Sequence, residues 1–334
     1  CKDWASPLSI GALTQVWAEY GPLLQIGKID EVLVVARSGF SPAARAFSES
    51  QSGLYVQDYT ELIHDALDFR PYARTLIAAY ESSEDGLSEY FTAPSTGTGQ
   101  NLVEVLRQWI RGTGDLDANR PVAILGAYGI GKTSVSRHLA AVQARAFLEE
   151  NDRAPIHIRL GEIAGEQTLE GLLGAHFTAA FPVARYSFAE FQRLNSAGRF
   201  LIILDGFDEM KQLLSWEQFR YNIRMLNRLC TANSRVIILG RLTAFESDSQ
   251  QRDALHGRRE VNGIEYAEPD WPDYQEIRIE PFSTEQIEEF LEKYWAFLGD
   301  TRPNVASASE AVRGALGKRR IRDLARRPVQ LKML

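Results

Sequence analysis

The sequence predicts an α/β fold built on a parallel sheet. A helical domain is expected to follow it, and a smaller α/β domain to precede it. Three observations carry this expectation. Short apolar runs ("VLVVA", "PVAILG", "IHIRL", "FLIILD", "RVIILG") alternate with helix-patterned stretches, and continuously apolar strands belong to sheets covered on both faces. A glycine-rich loop stands between one such run and a helix. From Phe282 onward the pattern is helical.

Along the chain, "VLVVA" (32–36) reads as a buried strand, followed by a helix whose N-cap is Ser41. "LYVQ" (54–57) reads as a second strand and "YTELIHDAL" as a closing helix, with another helix over about 71–82. The stretch "SSEDGLSEYFTAPSTGTGQ" is rich in Gly, Ser and Thr and reads as a linker. "LVEVLRQWI" places Leu102, Val105, Leu106 and Ile110 on one helical face. "PVAILG" (121–126), "IHIRL" (156–160), "FLIILD" (200–205) and "RVIILG" (235–240) supply strands, and 133–150 is a long helix. Ser283 with Gln286 forms a capping box ahead of Ile287, Phe290, Leu291, Tyr294 and Leu298. The expected domains are therefore 1–80, a linker over 81–100, 101–281, and a truncated helical domain over 282–334.

The chain has 334 residues, 45% hydrophobic and 24% charged, which suits globular domains and excludes wholesale disorder. A net charge of −7 leaves no overall basic footprint, so any nucleic-acid contact is local. Cys1 and Cys230 are too few for a disulfide framework and suit a reducing cytosol, so a cytoplasmic location is expected. No apolar run approaches the roughly 18 residues of a membrane span, and no leader is visible, so no membrane partner is expected. The chain opens on Cys1 and stops at "VQLKML" inside a helical pattern, which reads as the central piece of a longer protein.

The loop "GAYGIGKTS" (Gly126, Ala127, Tyr128, Gly129, Ile130, Gly131, Lys132, Thr133, Ser134) matches G-x-x-x-x-G-K-[ST]. Its glycines let successive backbone N–H groups turn inward on phosphate oxygens. Lys132 reaches the β- and γ-phosphates in such a loop, and the Thr133 hydroxyl serves Mg²⁺. An acid ending a second buried strand is the other protein ligand of that metal, and Asp205 ends "FLIIL". Gly206 permits a sharp exit from the strand. Asp208 and Glu209 then stand just past the sheet edge, where one of them can orient or deprotonate the attacking water. The alternative for this pair is two solvated acids opening a helix, favoured there by the dipole. Arg241 follows "RVIILG" at the same edge, where open parallel sheets bind ligands, and a guanidinium there can sense a γ-phosphate. ATP or ADP with Mg²⁺ is the expected cofactor set.

Together these residues resemble the NACHT family of STAND NTPases. The family's second acidic motif is a hydrophobic strand, Asp, a small residue, a hydrophobe and two acids, and "LIILDGFDEM" fits it at every position. Its third-strand motif usually ends in two hydroxyl residues and Arg; here "ILGR" keeps Arg241 but has Leu239 and Gly240. "IEPFSTEQIEEFLEKYW" is similar to the start of the family's helical domain. "LARRPVQLKML" is similar to a later motif in which a proline, here Pro328, approaches adenine. The winged-helix domain that usually follows is not in this chain.

Residues 1–80 are similar to the C-terminal half of Mrr-like PD-(D/E)xK nuclease domains. That resemblance makes Lys2 the catalytic lysine, while the partnering acids fall outside the chain. The alternative is an α/β adaptor with a surface Lys2. A nuclease-like domain joined to a NACHT domain resembles bacterial antiviral STAND (Avs) proteins. By that resemblance a C-terminal sensor binds a phage protein, ATP favours self-oligomerisation, and the clustered effectors cut DNA. A DNA-translocating AAA+-like motor of a restriction system, or an ATP-binding scaffold without an active effector, remain as alternatives. The basic run "GKRRIRDLARR" reads as a solvated helix face. His64, His138 and His157 show no ligand spacing, and Trp4, Trp17 and Tyr20 are expected in the core.

Overall fold

The structure is a computed structural model describing residues 7–333, except 60, 63–66, 83, 164–167, 182, 184–185, 262, 300–310, 313 and 317. Lys2, Trp4 and His64 therefore lie outside the described residues. The chain divides into two compact units, residues 1–68 with 183–194, and residues 69–182 with 195–334.

In the first unit, Ser9 caps the helix Ile10–Gln25 through its hydroxyl, which accepts from Ala12 N. Strand β1 (Val32–Ala36) runs into a helix, Pro42–Glu49, that Ser41 caps in the same way. Strand β2 (Leu54–Asp58) lies parallel to β1, Val32 facing Leu54 and Ala36 facing Asp58. Leu8, Leu13, Val32, Ala36, Phe40, Ala44 and Leu54 form the core on one face. Trp17 packs at the margin of that core, but Tyr20, expected inside, is exposed.

The second unit holds five parallel strands. They are β3 (Val122–Leu125), β4 (Ala154–Arg159), β5 (Phe200–Asp205), β6 (Arg235–Gly240) and, after a small antiparallel hairpin of β7 (Arg258–Val261) and β8 (Ile264–Ala267), β9 (Gln275–Arg278). Their order is β4-β5-β6-β3-β9. Every residue of β3, β5 and β6 is buried, as the continuous apolar runs predict for a sheet covered on both faces. Parallel pairing aligns the carboxyl ends, with Leu125 opposite Gly240 and Asp205 opposite Leu239. The last residues of β3, β5 and β6 thus meet at one edge.

Helix Arg70–Glu81 packs in this unit, with Tyr72, Ala73, Leu76 and Tyr80 buried. The stretch that composition reads as a linker contains buried Leu87, Tyr90, Thr92 and Thr96, and Thr96 bridges to Ile279 after β9. Thr96 and Thr98 hydrogen-bond within the loop (2.9 Å), and Gly97 N donates to Arg278 O (3.1 Å). The amphipathic helix is Leu102–Arg111, capped by Asn101, with Leu102, Leu106, Trp109 and Ile110 buried. The capping box closes as expected: Gln286 N donates to Ser283 Oγ (3.2 Å) and Ser283 N to Gln286 Oε1 (2.9 Å), opening the helix Thr284–Gly299. The short helices Arg319–Ala325 and Pro328–Met333 come later, with Ala325 and Leu331 against the same core as Phe282, Ile287 and Phe290.

Candidate functional site

The phosphate loop leaves β3 and enters the helix Lys132–Glu150. Gly129 and Gly131 have φ of 72° and 99°, the left-handed region that favours glycine, and this is what curls the loop. A Cβ at Gly126 would lie 2.8 Å from Ile130 Cγ2, so close packing also excludes a side chain there. Lys132 Nζ donates to the carbonyls of Gly126 and Ala127, both at 2.9 Å. Burial holds its ammonium below the ordinary lysine range, opposed by the nearby Asp208.

Asp205 ends β5 and is 5% exposed. Ser136 Oγ donates to its Oδ2 (2.8 Å), and the nearby Thr133 side chain also favours its charged form. Burial still pushes its carboxyl above the usual carboxylate range, because desolvation disfavours the charged form more than those side chains favour it. The Thr133 hydroxyl thus lies near the Asp205 carboxylate, and an all-oxygen pair suits a hard divalent cation such as Mg²⁺. Among the described residues no three His, Cys, Asp or Glu groups gather to hold a metal. A cation held by this pair would draw its remaining ligands from phosphate oxygens and water.

Gly206, with φ 84°, turns the chain sharply into a one-and-a-half-turn helix, Phe207–Gln212. That turn separates the two acids. Asp208 is 4% exposed, whereas Glu209 is exposed and lies over Gly206 and Gly161. Asp208 Oδ1 accepts from Arg241 N (3.1 Å), and its Oδ2 stands 3.0 Å from Arg241 Nε, at ion-pair distance but without hydrogen-bond alignment. The Arg241 guanidinium in turn stands 4.8 Å over the ring of Tyr128 in the phosphate loop. The loop, the second acidic strand and the third strand are thus coupled through one arginine. Gly240 has a local reason too: a Cβ there would enter the Phe207 ring, so no hydroxyl side chain fits at that position.

Pro328 also meets the loop. Val329 N donates to Gly129 O (3.3 Å), and Pro328 Cγ lies 3.9 Å from where a Cβ on Gly131 would be. A cavity of about 190 Å³ opens beside the helix start, walled by Phe91, Thr92, Pro94, Ser134, Pro328 and Val329. Sequence reading misses Phe91, Thr92 and Pro94. The only signal in the sequence is a proline just ahead of a capped amphipathic helix, and composition points the other way. It also treats His157 as unremarkable, yet its Nε2 lies 3.2 Å from Ser136 Oγ.

A family model described as "NACHT domain" matches residues 120–296. The chain is 26% identical over 329 residues to an uncharacterized WD repeat-containing protein of Nostoc sp., a match covering 92% of this chain and 21% of that protein. The chain thus spans about a fifth of the length of this curated relative. Among solved structures it is similar to the Aeropyrum pernix ORC1 protein in complex with DNA (19% identity, 64% of this chain and 52% of that one, TM-score 0.37). It is also similar to domain III of the Thermotoga maritima replication initiation protein DnaA (14% identity, 63% and 75%, TM-score 0.37).

Proposed function

The chain belongs to the NACHT family, and from that premise we propose that it is the ATP-binding and ATP-hydrolysing switch of a bacterial antiphage protein. Family membership brings a P-loop NTPase domain and nucleotide binding. The finer reading rests on one observation: Arg241 joins the buried Asp208 to Tyr128 of the phosphate loop. In this reading the phosphates lie in the loop, with Lys132 against the β- and γ-phosphates. Thr133 and Asp205 would hold Mg²⁺, which would supply charge neutralisation for the transferring group. Asp208 orients the attacking water, with Glu209 on the outer side. A γ-phosphate competes for Arg241, weakens its pairing with Asp208, and so reports the nucleotide state to the third strand. The nucleobase enters the slot between Pro94 and Pro328, which ties the helical region to the loop.

A switch of this kind needs an effector and a sensor. The likeness of residues 1–80 to PD-(D/E)xK domains supports a DNA-cutting effector with Lys2 as its lysine. The WD repeats named in the Nostoc relative support a repeat array as the sensor of a phage protein. Nucleotide-driven self-oligomerisation would cluster the effectors.

The test uses the full-length protein. Lys132→Ala is expected to weaken ATP binding and lower hydrolysis on the order of 10²-fold or more, and to abolish trigger-dependent assembly. High basal turnover stimulated by DNA alone would replace the switch with a DNA-translocating motor. DNA cleavage surviving Lys2→Ala would remove the effector assignment, and no cleavage under any trigger would leave an ATP-binding scaffold.

A further inference from the structure

Ser136 lies one turn beyond Thr133 on the phosphate-loop helix, on the face that packs against the sheet, and is 0% exposed. Its neighbours on that face, Val135, Leu139 and Ala140, are apolar. A fully buried hydroxyl is costly unless hydrogen-bonded, and this one has three partners: Thr133 O (3.0 Å), Asp205 Oδ2 (2.8 Å) and His157 Nε2 (3.2 Å). It has a single proton. The charged acceptor takes it more strongly than a backbone carbonyl, so the proton belongs to Asp205. The serine oxygen then accepts from His157, which fixes the imidazole with hydrogen on Nε2.

His157 is suited to that role. It stands on β4 opposite Ile203 of β5, two residues below the pairing of Arg159 with Asp205. Its backbone N donates to the Tyr72 hydroxyl (3.0 Å), and Tyr72 OH in turn lies 3.1 Å from His176 Nε2. Burial keeps the His157 imidazole neutral, its pKa pushed down to about 4. The ring therefore offers the serine a neutral donor held in place by the strand.

We infer that Ser136 and His157 are positioning residues for the metal: the relay His157 → Ser136 → Asp205 fixes one carboxylate oxygen so that Asp205 and Thr133 stay aligned for the divalent cation. This rests on the reading of Thr133 and Asp205 as the Mg²⁺ ligands. Outer partners of this kind orient a ligand, and their loss typically weakens metal binding about ten- to a hundredfold.

The experiment follows Mn²⁺ binding by electron paramagnetic resonance in full-length protein carrying a non-hydrolysable ATP analogue, alongside analogue affinity without metal. Ser136→Ala is expected to raise half-saturating Mn²⁺ about tenfold or more and to leave metal-free analogue affinity within about twofold. Ser136→Thr, which keeps the hydroxyl, should restore tight Mn²⁺ binding. His157→Phe should shift Mn²⁺ in the same direction by less, with recovery in His157→Gln. Thermal unfolding of each variant reports folding, and the His157 pair carries the test if Ser136→Ala does not fold. Unchanged half-saturation in both Ser136→Ala and His157→Phe would overturn the inference, as would an equal loss of metal-free analogue binding. Wild-type protein that binds the analogue without any metal dependence would instead overturn the assignment of Thr133 and Asp205.

Discussion

Charged side chains gather at both edges of the five-stranded sheet, and the two gatherings are built differently. At the start of β9, Arg220 Nε donates to both oxygens of Asp253 (2.9 and 2.8 Å) and its outer nitrogen reaches Glu268, which also takes Arg224. Trp271 lies under both guanidinium groups, at 5.1 and 5.8 Å. His256 sits between Asp273 (2.6 Å) and Glu276 (3.1 Å), and Arg120 completes Asp273 (2.7 Å). At the opposite edge, Asp205 and Asp208 are more deeply buried yet less well paired. Asp208 keeps an oxygen without an aligned donor, and Lys132 donates to the carbonyls of its own loop. Paired charges hold a structure together. Charges buried short of partners leave capacity for an incoming ligand, and perturbed groups gather where chemistry is done.

The sharpest way to break this contrast is to separate the two adjacent acids. Asp208→Asn is expected to slow ATP hydrolysis on the order of 10²- to 10⁴-fold, with nucleotide affinity nearly unchanged. Glu209→Gln should cost less than about tenfold, because Glu209 is exposed. Phosphate release at saturating ATP measures both, and the reverse ranking would make Glu209 the water-orienting group. At the other edge, Arg220→Ala leaves Asp253 and Glu268 without their shared partner. The pair is largely but not wholly buried, so a loss of about 2–3 kcal/mol is expected, read by denaturant unfolding. An accompanying loss of nucleotide affinity would show that the two edges are not separable.

The smallest effect is a dependence on pH. The hydrogen bond that His256 donates to Glu276, with that to Asp273, raises its pKa above 6.5 against the effect of burial. A raised folded pKa means the stabilisation is complete below about pH 6.5 and is lost as pH climbs through the raised value. Glu276, held below 4.5 chiefly by His256, contributes above that value and is lost as pH falls. Thermal unfolding should therefore peak between these limits. His256→Gln should remove the alkaline decline, a change of about 1 kcal/mol or less at this partly exposed site. A decline that persists in His256→Gln would assign it to another group.

Much of this molecule is legible from its sequence. Strands β1 to β6 show as apolar runs, and the phosphate loop shows through three glycines and Lys132-Thr133. Caps at Ser41 and Ser283 show because they act within a few residues. Strand β9 does not: "QEIR" is short and has a single apolar residue, and becomes a strand by pairing with β3. The β7–β8 hairpin is missed for the same reason, with Ile264, Glu265, Tyr266 and Ala267 all exposed. The walls at Phe91, Thr92 and Pro94 stay hidden because their partners, Pro328 and Val329, lie more than two hundred residues away in the chain.

By itself the sequence determined the strand–loop–helix that cradles phosphate and the carboxylate that ends β5. Those features depend on backbone freedom and hydrophobic period within a dozen residues. Only the tertiary structure decided what the neighbouring side chains do. Successive helical residues point about 100° apart, so Asp208 and Glu209 cannot both face inward. Packing of Phe207 on Gly240 and the reach of Arg241 select Asp208. The same holds for Ser136 and His157, ordinary residues in their own segments that reach Asp205 only because β4, β5 and the phosphate-loop helix pack side by side.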